Sequence, residues 1–212
     1  MRIRITFSKQ DALRYSSQLD VHKIWERAAR RVGLPLTYSR GFHPLPKLSI
    51  ANALPLGFSA RAELLEMKLD EDLETRSVLA DLNSTLPDGM KISRVEKVGE
   101  SEHSLQTRVT FAEYLVGIDR KIDSPELQSK IIDILACPNL PRYRRGKQYD
   151  LRFLIEQLYL ITGYSSDLSS PVSIFMRLSA REGATGRPEE VLDALSIPIE
   201  NVRIERLSLI VS

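Results

Sequence analysis

Lys23, Arg27, Arg30 and Arg31 stand at i, i+4, i+7 and i+8, a spacing that gathers all four on one face of a helix. Glu26 can pair with Arg30 at i+4, which leaves a surplus of cations. Such a face repels itself unless it meets an anion, either a phosphate backbone or an acidic protein. A solvated helix face is the plain alternative. The loop that follows, Leu36 to Lys47, mixes stacking residues (Tyr38, Phe42, His43), cations (Arg40, Lys47) and prolines (Pro44, Pro46). Aromatics set between cations suit single-stranded nucleic acid, and the prolines lower the cost of ordering the loop on binding. One of Tyr38 and Phe42 could instead be a core plug that pins the loop.

A second basic window runs Arg142-Tyr143-Arg144-Arg145-Gly146-Lys147-Gln148-Tyr149 and leads into Asp150-Leu151-Arg152. Cations again alternate with tyrosines, and Arg142, Arg144, Arg145, Lys147 and Arg152 are candidate contacts to the same partner. His43 and His22, with Tyr15, are the groups that could serve as general acid and base in a metal-free RNA cleavage. A histidine in a proline-flanked loop is more often structural. No paired histidines, CxxC or dense carboxylate cluster offers a metal site. The loop Arg181 to Arg187 carries Gly183 and Gly186 before a helix start and could seat a phosphate. It lacks the known phosphate-loop spacings, so a plain strand-to-helix connection is the better expectation.

The charge is unevenly spread. Residues 1–50 hold ten Lys/Arg against three Asp/Glu, a net of +7, and residues 51–100 hold six against ten, a net of −4. This asymmetry suits one face meant for an anionic partner. The apolar runs are short and broken, so no membrane span is expected, and the alternating start Met1 to Phe7 has no signal-peptide core. One cysteine, Cys137, excludes an internal disulfide framework. A cytoplasmic protein is the expectation.

These residues need elements to hold them. Residues 2–7 alternate as a half-buried strand with Ile3, Ile5 and Phe7 on one face. Residues 18–33 read as a helix whose buried stripe is Leu19/Val21, Ile24/Trp25, Ala28 and Val32, ended by Gly33 and Pro35. Residues 34–47 read as a loop and 48–54 as a strand. A strand at 61–69, a helix at 73–86 and a strand at 90–98 complete a β-α-β-β-α-β run. The polar stretch 99–104 reads as a linker. The order then recurs: a strand at 108–117, a helix with Ser124 as N-cap and Pro125 in its first turn, a basic loop, strands at 149–162 and 172–179, a helix opened by Pro188, and a strand at 202–211. In that last strand the apolar parity flips near Arg206, the mark of a bulge. The reading is an α+β chain of two tandem ferredoxin-like (βαββαβ) halves, 1–98 and 105–212, with mixed or antiparallel sheets and helices on one face. A single mixed sheet with helices on one side is the alternative.

The run Arg14-Tyr15-Ser16-Ser17-Gln18-Leu19-Asp20, followed by Trp25-Glu26-Arg27, Gly41-Phe42-His43-Pro44 and Ala53-Leu54-Pro55-Leu56-Gly57, resembles a bacterial family of radical SAM-linked proteins of unknown function. Arg145-Gly146-Lys147, Tyr149-Asp150-Leu151-Arg152 and Gly186-Arg187-Pro188-Glu189-Glu190-Val191-Leu192 are similar to it as well. The resemblance implies a partner: members are encoded beside, or fused to, a radical SAM protein, often with a cobalamin-binding region. That partner would carry the iron–sulfur cluster, SAM and cobalamin. This chain binds no cofactor in that reading, since a radical SAM cluster needs three closely spaced cysteines. Three functions are therefore expected in order. The first is an accessory module that works with a radical SAM protein on RNA or a ribonucleoprotein. The second is a metal-independent RNA endonuclease of RAMP-like fold, and the third is a protein-only adaptor.

Overall fold

The computed structural model describes residues 1–119, 122–162 and 172–212. The chain divides into two compact units, Met1–Val109 and Thr110–Ile210. Both are α+β, with mostly antiparallel strands.

The first unit begins with β1 (Arg2–Lys9) and a short 3-10 turn, Asp11–Tyr15. It continues through α1 (Gln18–Arg31), β2 (Leu48–Ile50), β3 (Ser59–Lys68), α2 (Thr75–Asn83), β4 (Met90–Val98) and α3 (Leu105–Arg108). The strands lie in the order β4-β1-β3-β2, each neighbouring pair antiparallel. Alternation along β1 divides its side chains as the sequence predicts. Ile3, Ile5 and Phe7 are buried with Leu65 and Met67 of β3 under Val21, Trp25, Ala28 and Ala29 of α1 and Val78 and Leu82 of α2. Phe7 meets Trp25 edge to face at 4.9 Å, the geometry aromatic quadrupoles prefer. On the opposite face Arg4 stands across from Glu66 on one neighbour and Glu96 on the other and pairs with both. Cross-strand ion pairs of this kind hold the register.

Three expectations need correction here, and one core residue was not among those expected. Leu19 is not in the core but 74% exposed: four residues before Lys23 and eight before Arg27, it lies on their face of the helix. Ala29 is buried in that stripe. The second strand is only Leu48–Ile50. The stretch 99–104 is no free linker, because the first unit holds it through Arg2 to the Glu102 carbonyl (3.0 Å), Arg4 and Arg108 to the Glu102 carboxylate, and Lys68 to Glu100 (2.8 Å).

The second unit runs β5 (Val109–Ile118), α4 (Ser124–Ala136), β6 (Pro141–Arg144), β7 (Lys147–Asp150), β8 (Ile155–Thr162), β9 (Val172–Arg181), β10 (Ala184–Thr185), α5 (Pro188–Ala194) and β11 (Val202–Val211). Its main strands lie in the order β8-β9-β5-β11. Asp123, not Ser124, caps α4, its carboxylate accepting from the Glu126 N–H at 3.1 Å. The single strand expected over 149–162 is broken by a 3-10 turn at Arg152–Leu154. Burial along β11 loses its alternation where the parity flips: Ile204, Glu205 and Arg206 are all buried. The Arg181–Arg187 loop is a tight hairpin, with Ala184 and Thr185 pairing back onto Arg181 and Ala180. Gly186 is fixed by packing, since a Cβ there would sit 3.2 Å from the Leu178 Cβ and 3.1 Å from the Leu154 carbonyl oxygen.

Candidate binding surface

The exposed face of α1 is built from its two ends. Ser17 and Asp20 form a capping box: the Asp20 N–H donates to Ser17 Oγ at 3.2 Å and the Ser17 N–H to Asp20 Oδ2 at 3.0 Å, which satisfies donors the first turn leaves free. The bonds from Ser17 hold the Asp20 carboxyl below its ordinary value, with Lys23 adding to them. At the other end Gly33, at φ +68°, closes a Schellman motif, the Gly33 N–H donating to the Arg30 carbonyl (3.1 Å) and the Leu34 N–H to the Ala29 carbonyl (3.0 Å). With the buried stripe facing the sheet, Lys23, Arg27, Arg30 and Arg31 all emerge into solvent. Arg30 pairs with Glu26 at 2.8 Å, and Arg31 reaches the Thr85 carbonyl at 3.3 Å. Among the described residues, Lys23 and Arg27 make no ion pair.

The segment after α1 is a small irregular hairpin rather than a loose loop. The Thr37 N–H donates to the Lys68 carbonyl and the Lys47 N–H to the Thr37 carbonyl. Further out the Ser39 N–H donates to the Leu45 carbonyl, each bond 2.8–2.9 Å. Ser39 Oγ accepts from the Leu45 N–H at 3.0 Å, and Thr37 Oγ1 donates to Asp70 at 2.6 Å. The tip, Arg40-Gly41-Phe42-His43-Pro44, projects beyond these bonds with every residue exposed. Phe42 is wholly in solvent. Neither Phe42 nor Tyr38 is a core plug, for Tyr38 is also exposed and lies under the Arg30 guanidinium, 6.0 Å from carbon to ring centroid. Its hydroxyl, and then Glu26, raises the Arg30 pKa above the ordinary arginine value. Arg40 in the tip and Lys47 at the foot of the hairpin are both exposed.

Sequence reasoning missed the exposed apolar residues Leu19, Leu45 and Leu56, while Tyr15, offered there as an acid–base candidate, is exposed as well. The Gly57 N–H donates to the Arg14 carbonyl at 2.9 Å and fastens the Leu56 loop beside Tyr15, whose ring lies under the Arg14 guanidinium at 4.8 Å. Leu19 follows from spacing alone, because it repeats with the cations. The acid–base candidates lie on three different elements. His22 is half-buried with Nε2 3.4 Å from the Leu48 carbonyl, His43 is at the hairpin tip, and Tyr15 is on the 3-10 turn. No hydrogen bond joins any two of them.

In the second unit the basic window is itself a hairpin. β6 pairs with β7, and Arg145 (φ +50°) and Gly146 (φ +76°) make the two-residue turn, the left-handed pair that such turns require. Three of its cations, Arg144, Arg152 and Arg142, are engaged within the fold, Arg142 lying 3.9 Å from Asp193. Arg144 grips Glu190 of α5, Nε to Oε1 at 2.9 Å and a second nitrogen to Oε2, donates to the Thr185 carbonyl at 2.9 Å, and lies over Tyr149 at 4.7 Å. Arg152 donates to the Leu135 carbonyl at the end of α4 and to the Ile155 carbonyl, both at 3.1 Å. Arg142 donates to the Pro141 carbonyl. Arg145 and Lys147 at the turn, with Tyr143, are exposed.

A comparison with curated proteins finds no match. Among solved structures, a crystal structure of a Cbf5–Nop10–Gar1 complex is similar over 98% of this chain and 48% of that chain, at 8% identity and a TM-score of 0.49. The chain thus spans about half of that one, and the likeness is too slight to speak to function. Residues 2–188 match the model of a family described as "Uncharacterized protein conserved in bacteria (DUF2344)", and the chain belongs to that family.

Proposed function

We propose that this chain is an accessory binding module that holds RNA, or a ribonucleoprotein, for a radical SAM protein and has no catalytic activity of its own. The observation that carries the binding half is the surface of the first unit. Lys23 and Arg27 stand exposed without an ion pair on a helix face that continues, through Arg30 and Tyr38, into an ordered hairpin with a fully exposed Phe42. Cations left without an ion pair favour a phosphate chain, and exposed rings among them favour bases. The radical SAM half is supported by the motif resemblance alone. In this proposal the partner brings the iron–sulfur cluster, SAM and cobalamin. One cysteine and an RNA partner suit a cytoplasmic site of action. No helix among the described residues is long and apolar enough to cross a membrane.

The strand orders β4-β1-β3-β2 and β11-β5-β9-β8 support reading each unit as a ferredoxin-like half. With the four main strands of each unit numbered in chain order (β6, β7 and β10 set aside), both orders read 4-1-3-2. Open sheet architectures of this kind host many functions, so the proposal rests on the surface rather than on the fold.

The test is a native pull-down of the tagged protein with co-purifying protein and RNA both identified. The proposal expects a radical SAM protein together with RNA. That protein without RNA would select the adaptor reading. RNA that is cleaved by the purified chain in EDTA, and spared by His43→Ala, would select the endonuclease reading.

A further inference from the structure

We infer that the hairpin of residues 37–47 is a stacking finger: Phe42 inserts against an unpaired base, so the RNA held by this chain must present unpaired nucleotides. This rests on the proposed RNA-binding reading and adds to it a choice between single strand and duplex. Phe42 is 103% exposed, so its ring supports nothing within the fold. Yet the backbone that carries it is fixed by the Ser39–Leu45 and Lys47–Thr37 bonds, by Ser39 Oγ on the Leu45 N–H, and by two prolines. A ring carried on a hairpin whose stem is fixed meets a partner with part of its ordering cost already met in folding.

The surroundings name the ligand. Residues 37–47 contain Arg40, His43 and Lys47 and no carboxylate, and Arg30 closes over Tyr38 at the base of the finger. A purely apolar protein groove would not select the cations Arg30, Arg40 and Lys47. A nucleotide matches both parts, a π-face for Phe42 and a phosphate for the cations around it. Bases inside a duplex are already stacked on each other and offer no such face, so the finger discriminates by strandedness and not by sequence.

The experiment measures the affinity of the intact protein for a 12-nucleotide single-stranded RNA and for a blunt duplex of the same length. Wild type, Phe42→Ala, Phe42→Leu and Phe42→Trp are compared at one salt concentration. The expected result is a loss of about tenfold on the single strand for Phe42→Ala with duplex affinity unchanged. Phe42→Leu fails to restore binding. Phe42→Trp restores it, and the new indole's fluorescence is quenched by the single strand. Equal losses on both RNAs, no loss on either, or rescue by Leu as good as by Trp overturns the finger while leaving RNA binding in place. A wild-type protein that binds neither RNA overturns the binding module and the finger together.

Discussion

Arg30 lies 6.0 Å from the centroid of the Tyr38 ring while its guanidinium pairs with Glu26 at 2.8 Å. One side chain thereby ties the basic face of α1 to the aromatic hairpin. Arg30→Ala should loosen that tie. A cation–π contact at an exposed site is weak, so hairpin opening should become only roughly two- to fivefold more frequent. Limited trypsin digestion should then cut after Arg40 faster by that factor. An unchanged rate at Arg40 would show that the contact does not hold the hairpin.

Arg144 and its neighbours separate structure from binding in the second unit. Arg144→Ala removes a two-pronged pair and strands Glu190, at a cost of about 1–3 kcal/mol. Glu190→Ala should cost a similar amount, and the two losses should not add. Urea unfolding of the two single variants and the double variant measures this. Arg145→Ser with Lys147→Ser should leave stability within about 0.5 kcal/mol and weaken RNA binding.

Gly89 carries a backbone constraint. Its φ is +83°, and a Cβ would lie 2.7 Å from the Gln10 carbonyl oxygen, beside the bond from the Gln10 N–H to the Gly89 carbonyl at 2.8 Å. Gly89→Ala should destabilise by more than the ~1–2 kcal/mol of left-handed strain alone. Thermal unfolding would contradict this if Gly89→Ala melted with wild type.

The α1 cap has a pH signature. The Asp20 pKa is lowered from the ordinary 3.8 by its bonds with Ser17. A lowered carboxyl pKa gives stability that is fully present above the unfolded value and is lost as pH falls through the folded one. The stability difference between wild type and Asp20→Asn should therefore be constant at neutral pH, shrink below 3.8, and vanish once Asp20 is protonated in both states. A difference that persists there would mean that the charge is not what caps the helix.

The alternating strands were legible in the sequence because one buried face leaves a period of two, as in Ile3-Ile5-Phe7. The basic face of α1 was legible for the same reason at helical period. What escaped was set by tertiary context. Leu19 is the exception: its spacing with Lys23 and Arg27 places it on the exposed face, and only its apolar character argued for the core. Phe42 reads equally well as a plug or a finger, until the bonds between Ser39 and Leu45 carry it away from the core. The β6–β7 hairpin was hidden because Arg145 occupies a left-handed position that Asn or Asp normally marks. In the same window, Arg144 and Arg152 look like binding cations in composition. Only the positions of Glu190 and the α4 carbonyls show that both are already engaged.

The central claim, that the α1 face holds a phosphate chain, is tested most directly by salt. Single-stranded RNA affinity is measured from low to moderate salt for wild type and for the variant carrying Lys23→Gln, Arg27→Gln, Arg30→Gln and Arg31→Gln. Each phosphate contact on a single strand adds about 0.7 to the slope of log affinity against log salt. The account predicts weaker binding by the variant and a slope shallower by about 2 to 3. Equal affinity and equal slope for the two proteins would contradict it.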